Sequence, residues 1–184
     1  MPSFKLANTS NAIVECYDMD MPILTDPNLR INEGYKNEQG YNRYVSDQQE
    51  PNVTQYFTDL VHKTVVPMLY MNEVFKQDYP VTMKTMIEKT NVGVIMFKDE
   101  IGWSQPPHED PRISIGSGVF HLQDCNEGTC FIDGIGYEAP HKKMSGAFWA
   151  NMQWSRHKVP TVTAERWGYL IVLKWKDINF EYQY

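Results

Sequence analysis

A chain of 184 residues with 42% apolar content is long enough for one well-buried core and too short for two ordinary domains, so a single domain is expected over 1–184. A formal charge of -6 argues against DNA or RNA as a partner, because binding a polyanion depends on Lys and Arg neutralising phosphates. No apolar run reaches membrane-spanning length and the start Met1-Pro2-Ser3-Phe4-Lys5 lacks the regions of a secretory signal, which makes the expected setting cytoplasmic with no membrane partner.

Residues 1–50 are rich in Asn, Asp, Gln, Gly and Tyr without a sustained period, and read as an irregular wrapping segment with one short strand near Ile13 to Cys16. From Pro51 to Tyr79 the residues Val53, Phe57, Leu60, Val61, Val65, Met68 and Leu69 recur at helical spacing, which predicts an amphipathic helix. Pro67 inside that pattern lacks a backbone donor and clashes with the preceding turn, so a kink or a split is expected, with supporting helices filling 51–90. His62 beside the apolar stripe reads as a boundary or surface histidine.

Beyond Asn91 the pattern is that of strands and turns. Val92 to Lys98 is an apolar run, and Asp99 to Pro107 reads as a loop carrying Gly102, Trp103 and two prolines. A strand from Ile113 is expected to be interrupted at Gly116 and Gly118 and to resume over Val119 to Gln123. Further strands are expected at Thr129 to Asp133, Gly146 to Gln153, Lys158 to Thr163 and Arg166 to Trp175, with 176–184 as a tail. The fold class is mainly β (α+β): a double-stranded β-helix, or jelly roll, over 91–175 with one or two supporting N-terminal helices. Three cysteines are too few for a disulfide framework; Cys125 and Cys130 flank a turn-like Asn126-Glu127-Gly128-Thr129, and reduced thiols are favoured over a cross-hairpin bridge.

One constellation carries chemistry. His108 and Asp110 are separated by one residue, so at the end of a strand both side chains point to the same side. With a third ligand from His157, they form the two-histidine, one-carboxylate set that occupies one face of a ferrous ion and leaves positions open for a cosubstrate and oxygen. Arg166, nine positions past His157, offers an always-charged bidentate partner to the far carboxylate of a keto acid. A His157–Arg166 hairpin would place the two at neighbouring depths, and Gly168 would leave room for a small ligand. Trp103 is kept as a substrate-contacting candidate because its loop leads into His108.

In four segments the chain resembles the iron(II)/2-oxoglutarate-dependent dioxygenases, in their prolyl hydroxylase-like branch. These are His108-Glu109-Asp110, the strand Val119-Phe120-His121-Leu122-Gln123, the turn Glu127-Gly128-Thr129 before Cys130-Phe131, and His157-Lys158-Val159-Pro160-Thr161-Val162-Thr163 with Arg166. The resemblance implies that His108, Asp110 and His157 are the catalytic Fe(II) ligands and that Arg166 pairs with the distal carboxylate of 2-oxoglutarate. It further implies that O2 is consumed and that succinate and CO2 are released as a C–H bond is hydroxylated. Members often carry a cosubstrate-contacting tyrosine before Leu-Asn; here His121 precedes Leu122-Gln123. The retained carboxylate Asp110 implies hydroxylation over halogenation. Val172 stands where nucleic acid repair members tend to carry a second arginine. The substrate is expected to be a protein side chain, proline among them, or a small molecule. Two other readings stay open: a non-enzymatic jelly-roll binding or structural protein, and a cupin-like metal enzyme that uses no keto acid.

Overall fold

The structure is a computed structural model that describes residues 1–7, 12–25, 27–33, 36–46, 48, 50–111, 113–132, 136–152 and 155–177. The expected strand ends at Asp133 and Gln153, and most of the 176–184 tail, lie outside the described residues.

Eleven strands are present among the described residues: β1 (Ser3–Leu6), β2 (Ile13–Tyr17), β3 (Arg30–Ile31), β4 (Arg43–Ser46), β5 (Thr90–Asp99), β6 (Gln105–His108), β7 (Ser114–His121), β8 (Cys130–Phe131), β9 (Ser145–Ala150), β10 (His157–Val159) and β11 (Arg166–Trp175). They form an eight-stranded sheet in the order β1-β2-β9-β7-β11-β5-β4-β3 and a three-stranded sheet in the order β6-β10-β8. From β5 to β7 the chain alternates between large and small sheet at each strand. It then pairs Cys130 with Glu138 beside β8, and alternates again from β9 to β11. That winding is the double-stranded β-helix, whose two facing sheets enclose a cavity at one end.

Segment 1–50 is more regular than expected. β1 and β2 extend the large sheet on the β9 side, and β3 and β4 extend it on the β5 side. Two further expectations are corrected. Gln105 to Pro107, expected as loop, belong to the strand Gln105–His108 in spite of the two prolines. The strand lies at the edge of the small sheet, and Pro106 and Pro107 fall where its pairing with β10 shifts register, so the ladder is already irregular at the missing donors. β7 runs unbroken through Gly116 and Gly118, because a Cβ at either position would meet the Phe148 ring of neighbouring β9; here glycine makes room for an aromatic.

The helices cover the outer face of the large sheet. α1 (Pro51–Leu60), a π-helical turn (Val61–Val65) and α2 (Val66–Leu69) are continuous, followed by α3 (Glu73–Asp78) and α4 (Met83–Lys89). The wide turn is the local answer to Pro67, which can neither donate to residue 63 nor tolerate its carbonyl; the Val66 N–H reaches back five residues to Val61 O. Asn72 and Thr82 cap α3 and α4 by accepting from the Phe75 and Thr85 amides. Phe57, Leu60, Val61, Val65 and Leu69 pack on Phe120, Phe148, Tyr169 and Ile171 of the sheet. The alternate residues Val119, Ala147 and Leu170 point inward with Phe97, Phe131 and Trp149. This two-faced burial rigidifies the strands on which the site stands.

Candidate metal centre and its cavity

β6 and β10 pair with His108 directly opposite His157, so strand register alone sets the two imidazoles side by side, ring centroids 4.3 Å apart. Asp110, two residues past His108, brings its Oδ1 to 3.9 Å from the Nε2 of each histidine. The three ligand atoms lie within 4.8 Å of one another, and small side-chain shifts would let one ion share them at bonds of about 2.1 Å.

The surroundings fit a metal. His108 Nδ1 sits 2.9 Å from Pro106 O and His157 Nδ1 sits 2.7 Å from Ser155 O. Only an Nδ1–H can satisfy a carbonyl, so each ring presents the bare lone pair of Nε2 to the centre. Trp149 Nε1–H donates to Asp110 Oδ2 at 3.0 Å and leaves Oδ1 for the ion. The His157 ring is clamped between Trp149 and Phe131, at 4.9 and 5.4 Å. Burial, aided by neighbouring His157, holds His108 below the ordinary imidazole range and so in the neutral form that ligates.

A cavity of about 500 Å³, counting its open mouth, leads from this centre and is lined by His108, Asp110, His157, Trp149, Ser117, Val119, Thr129, Val159, Leu170, Val172, Gln105 and Arg43. Arg166 is not among the lining residues. It is fully buried, with Nη2 3.0 Å from Asp99 Oδ2 and Nη1 donating to Glu127 O at 3.2 Å. Burial pulls its pKa down from the ordinary value, Asp99 pulls the other way, and a guanidinium remains charged under either influence. β10 and β11 lie in different sheets, so the expected His157–Arg166 hairpin does not form. Gly168 leaves no room for a ligand either: a Cβ there would run into the Phe97 ring and the Phe120 carbonyl.

His121 is buried on β7 with Nδ1 3.5 Å from Cys125 Sγ, away from the cavity lining; burial, then the charge of Arg166, push its pKa well below the usual range. Trp103, expected to meet substrate, has no exposed surface and stacks on the Arg43 guanidinium 4.0 Å from its ring centroid, so its place is in packing. Cys125 and Cys130 are both free, and burial pushes the Cys125 thiol up to about 11, an inert group at neutral pH.

Sequence reasoning missed three residues. No sequence reading gives Trp149 a role, and Asp99 reads as the start of a loop. Arg43 lay in a segment without pattern, its partner Asp99 56 positions away. No local signal marks such a pair.

No family model matches the chain, and no curated protein matches it in sequence. Solved structures do. A prolyl-4-hydroxylase of Pseudomonas putida is similar at 9% identity with a TM-score of 0.54, over 79% of this chain and 77% of that one. A prolyl hydroxylase of Trichoplax adhaerens, solved with a hypoxia inducible factor oxygen degradation domain peptide, is similar at 9% identity with a TM-score of 0.51, over 73% and 63%. An oxidoreductase of the 2OG-Fe(II) oxygenase family from Burkholderia pseudomallei follows at 15% identity and a TM-score of 0.48, over 80% and 72%. The first two establish the fold, the double-stranded β-helix that prolyl hydroxylases use.

Proposed function

We propose that this chain is an Fe(II)/2-oxoglutarate-dependent oxygenase that hydroxylates a C–H bond of a protein side chain or small molecule. The observation that carries the reading is the oriented triad: two histidines with Nδ1 bound to backbone carbonyls, and a carboxylate steadied by Trp149, all at the head of one cavity. A bound ferrous ion would supply oxygen activation coupled to decarboxylation of the keto acid, and the protein's part is to hold and orient. His108, Asp110 and His157 would present three donors on one face. Val119, Val159 and Leu170 give the space beside them apolar walls.

A peptidyl substrate is favoured within this reading. Two solved structures that share the fold are named as prolyl hydroxylases, one of them with a bound peptide. The second reading, a cupin-like metal enzyme without keto acid, draws on one observation: Arg166 already pairs with Asp99 outside the cavity.

Succinate release, screened across proline-containing peptides, free amino acids and nucleosides, tests the proposal. Turnover above the uncoupled background is expected with one class and is lost in Asp110→Ala. Oxidation that proceeds without 2-oxoglutarate would favour the second reading, and no release in the presence of Fe(II) with every substrate class would count against the enzyme.

A further inference from the structure

Glu15 carries a carboxylate into the interior from β2, a strand outside the winding, and is 5% exposed. Its Oε1 accepts from the Tyr137 hydroxyl at 2.6 Å and its Oε2 from the Tyr17 hydroxyl at 2.8 Å, with Lys5 Nζ 3.5 Å from Oε2. Burial pushes the Glu15 carboxyl up, but the two hydroxyls and Lys5 outweigh it and hold it below the ordinary range. Burial and then Glu15 drive the Tyr137 hydroxyl the other way, so it keeps its proton and donates. A charge-assisted bond between buried partners holds them in one arrangement.

From Tyr137 a single ring leads to the triad. Phe131 N–H donates to Tyr137 O at 2.7 Å, and the two ring centroids are 5.9 Å apart. Phe131 is 2% exposed and is the cross-strand partner of His157, their centroids 5.4 Å apart. It also meets Trp149 edge-on at 5.3 Å, and the Trp149 indole holds Asp110. Phe131 therefore backs one member of the triad directly and a second through Trp149.

We propose that Tyr137, tied to β2 by Glu15, is a positioning residue for the metal centre, acting through Phe131 on the orientation of His157. The inference rests on the metal centre of the function proposed above. Tyr17 supplies a contrast within the same network. It donates to the other oxygen of the same buried carboxylate, while the rings that meet Phe131 among the described residues are those of Tyr137, Trp149 and His157.

Mn(II) titration of the whole chain followed by electron paramagnetic resonance, with visible absorption of the Co(II)-loaded protein, tests this without turnover. Tyr137→Phe keeps the ring and loses the tie. It should shift the Co(II) bands and weaken Mn(II) binding by about 3- to 10-fold, a smaller effect than that of a group touching a ligand. Tyr17→Phe leaves the carboxylate equally short of one donor, and should match the native chain in affinity and bands. Glu15→Gln keeps an acceptor for the Tyr137 hydroxyl and should fall between the native chain and Tyr137→Phe. Should Tyr137→Phe fail to fold, Glu15→Gln carries the comparison with Tyr17→Phe. A native chain that binds Mn(II), with the Tyr137 and Tyr17 variants alike in affinity and bands, overturns the positioning role alone. A native chain that binds no Mn(II) overturns the metal centre, and the proposed function with it.

Discussion

Trp149 shows how much of a candidate metal site rests on a side chain outside the triad. Its indole N–H holds Asp110 Oδ2, and its ring packs against His157. Trp149→Phe keeps the ring and removes the donor. Partners of this kind typically contribute 10- to 100-fold in metal affinity, so the variant should bind Mn(II) about that much more weakly with unchanged circular dichroism. His121 carries a different kind of prediction. In the unfolded chain an imidazole takes its proton near pH 6.5, whereas buried His121 stays neutral well below that. Above that pH neither state holds the proton. As pH falls below it only the unfolded chain gains one, and stability drops by up to about 1.4 kcal/mol per pH unit. Urea unfolding at pH 7.5 and 5.5 should show this loss in the native chain, and a smaller one in His121→Asn.

At the scale of elements, β11 illustrates what was legible and what was not. Its bounds, Arg166 to Trp175, follow from its apolar run, and the structure has the same bounds. Its neighbours do not follow, because pairing depends on segments far away in sequence, and the strand lies between β5 and β7 rather than beside β10. Gly168 was misread for the same reason: a glycine signals that space is needed, and only the packed neighbour, Phe97, says by what. Gly168→Ala should therefore destabilise the fold by about 2 kcal/mol or more through overpacking, read as a lowered urea midpoint with an unchanged slope. Had the space served a ligand, stability would be unmoved. The disturbance at Pro67 was legible because proline's constraint is local, although the helix stays continuous where a kink or a split was expected. The answer to it, a π-turn before the proline, depends on α1 and α2 both packing on the sheet.

In the whole molecule, two sheets and a helical layer bring together the candidate ligands from distant segments. His108 and Asp110 come from β6 and the residues after it, and His157 from β10; register between two short strands completes the triad. That set was legible in sequence because ligand chemistry restricts residue type and spacing. The charge row of Arg43, Asp99 and Arg166 was not, since its first member belongs to a segment with no periodic pattern. The same architecture makes one measurement decisive. Fe(II) and 2-oxoglutarate added together without oxygen should produce a visible metal-to-ligand charge-transfer band, lost in His157→Ala and in Asp110→Ala. Absence of the band in the native chain, at saturating concentrations of both, would contradict the account.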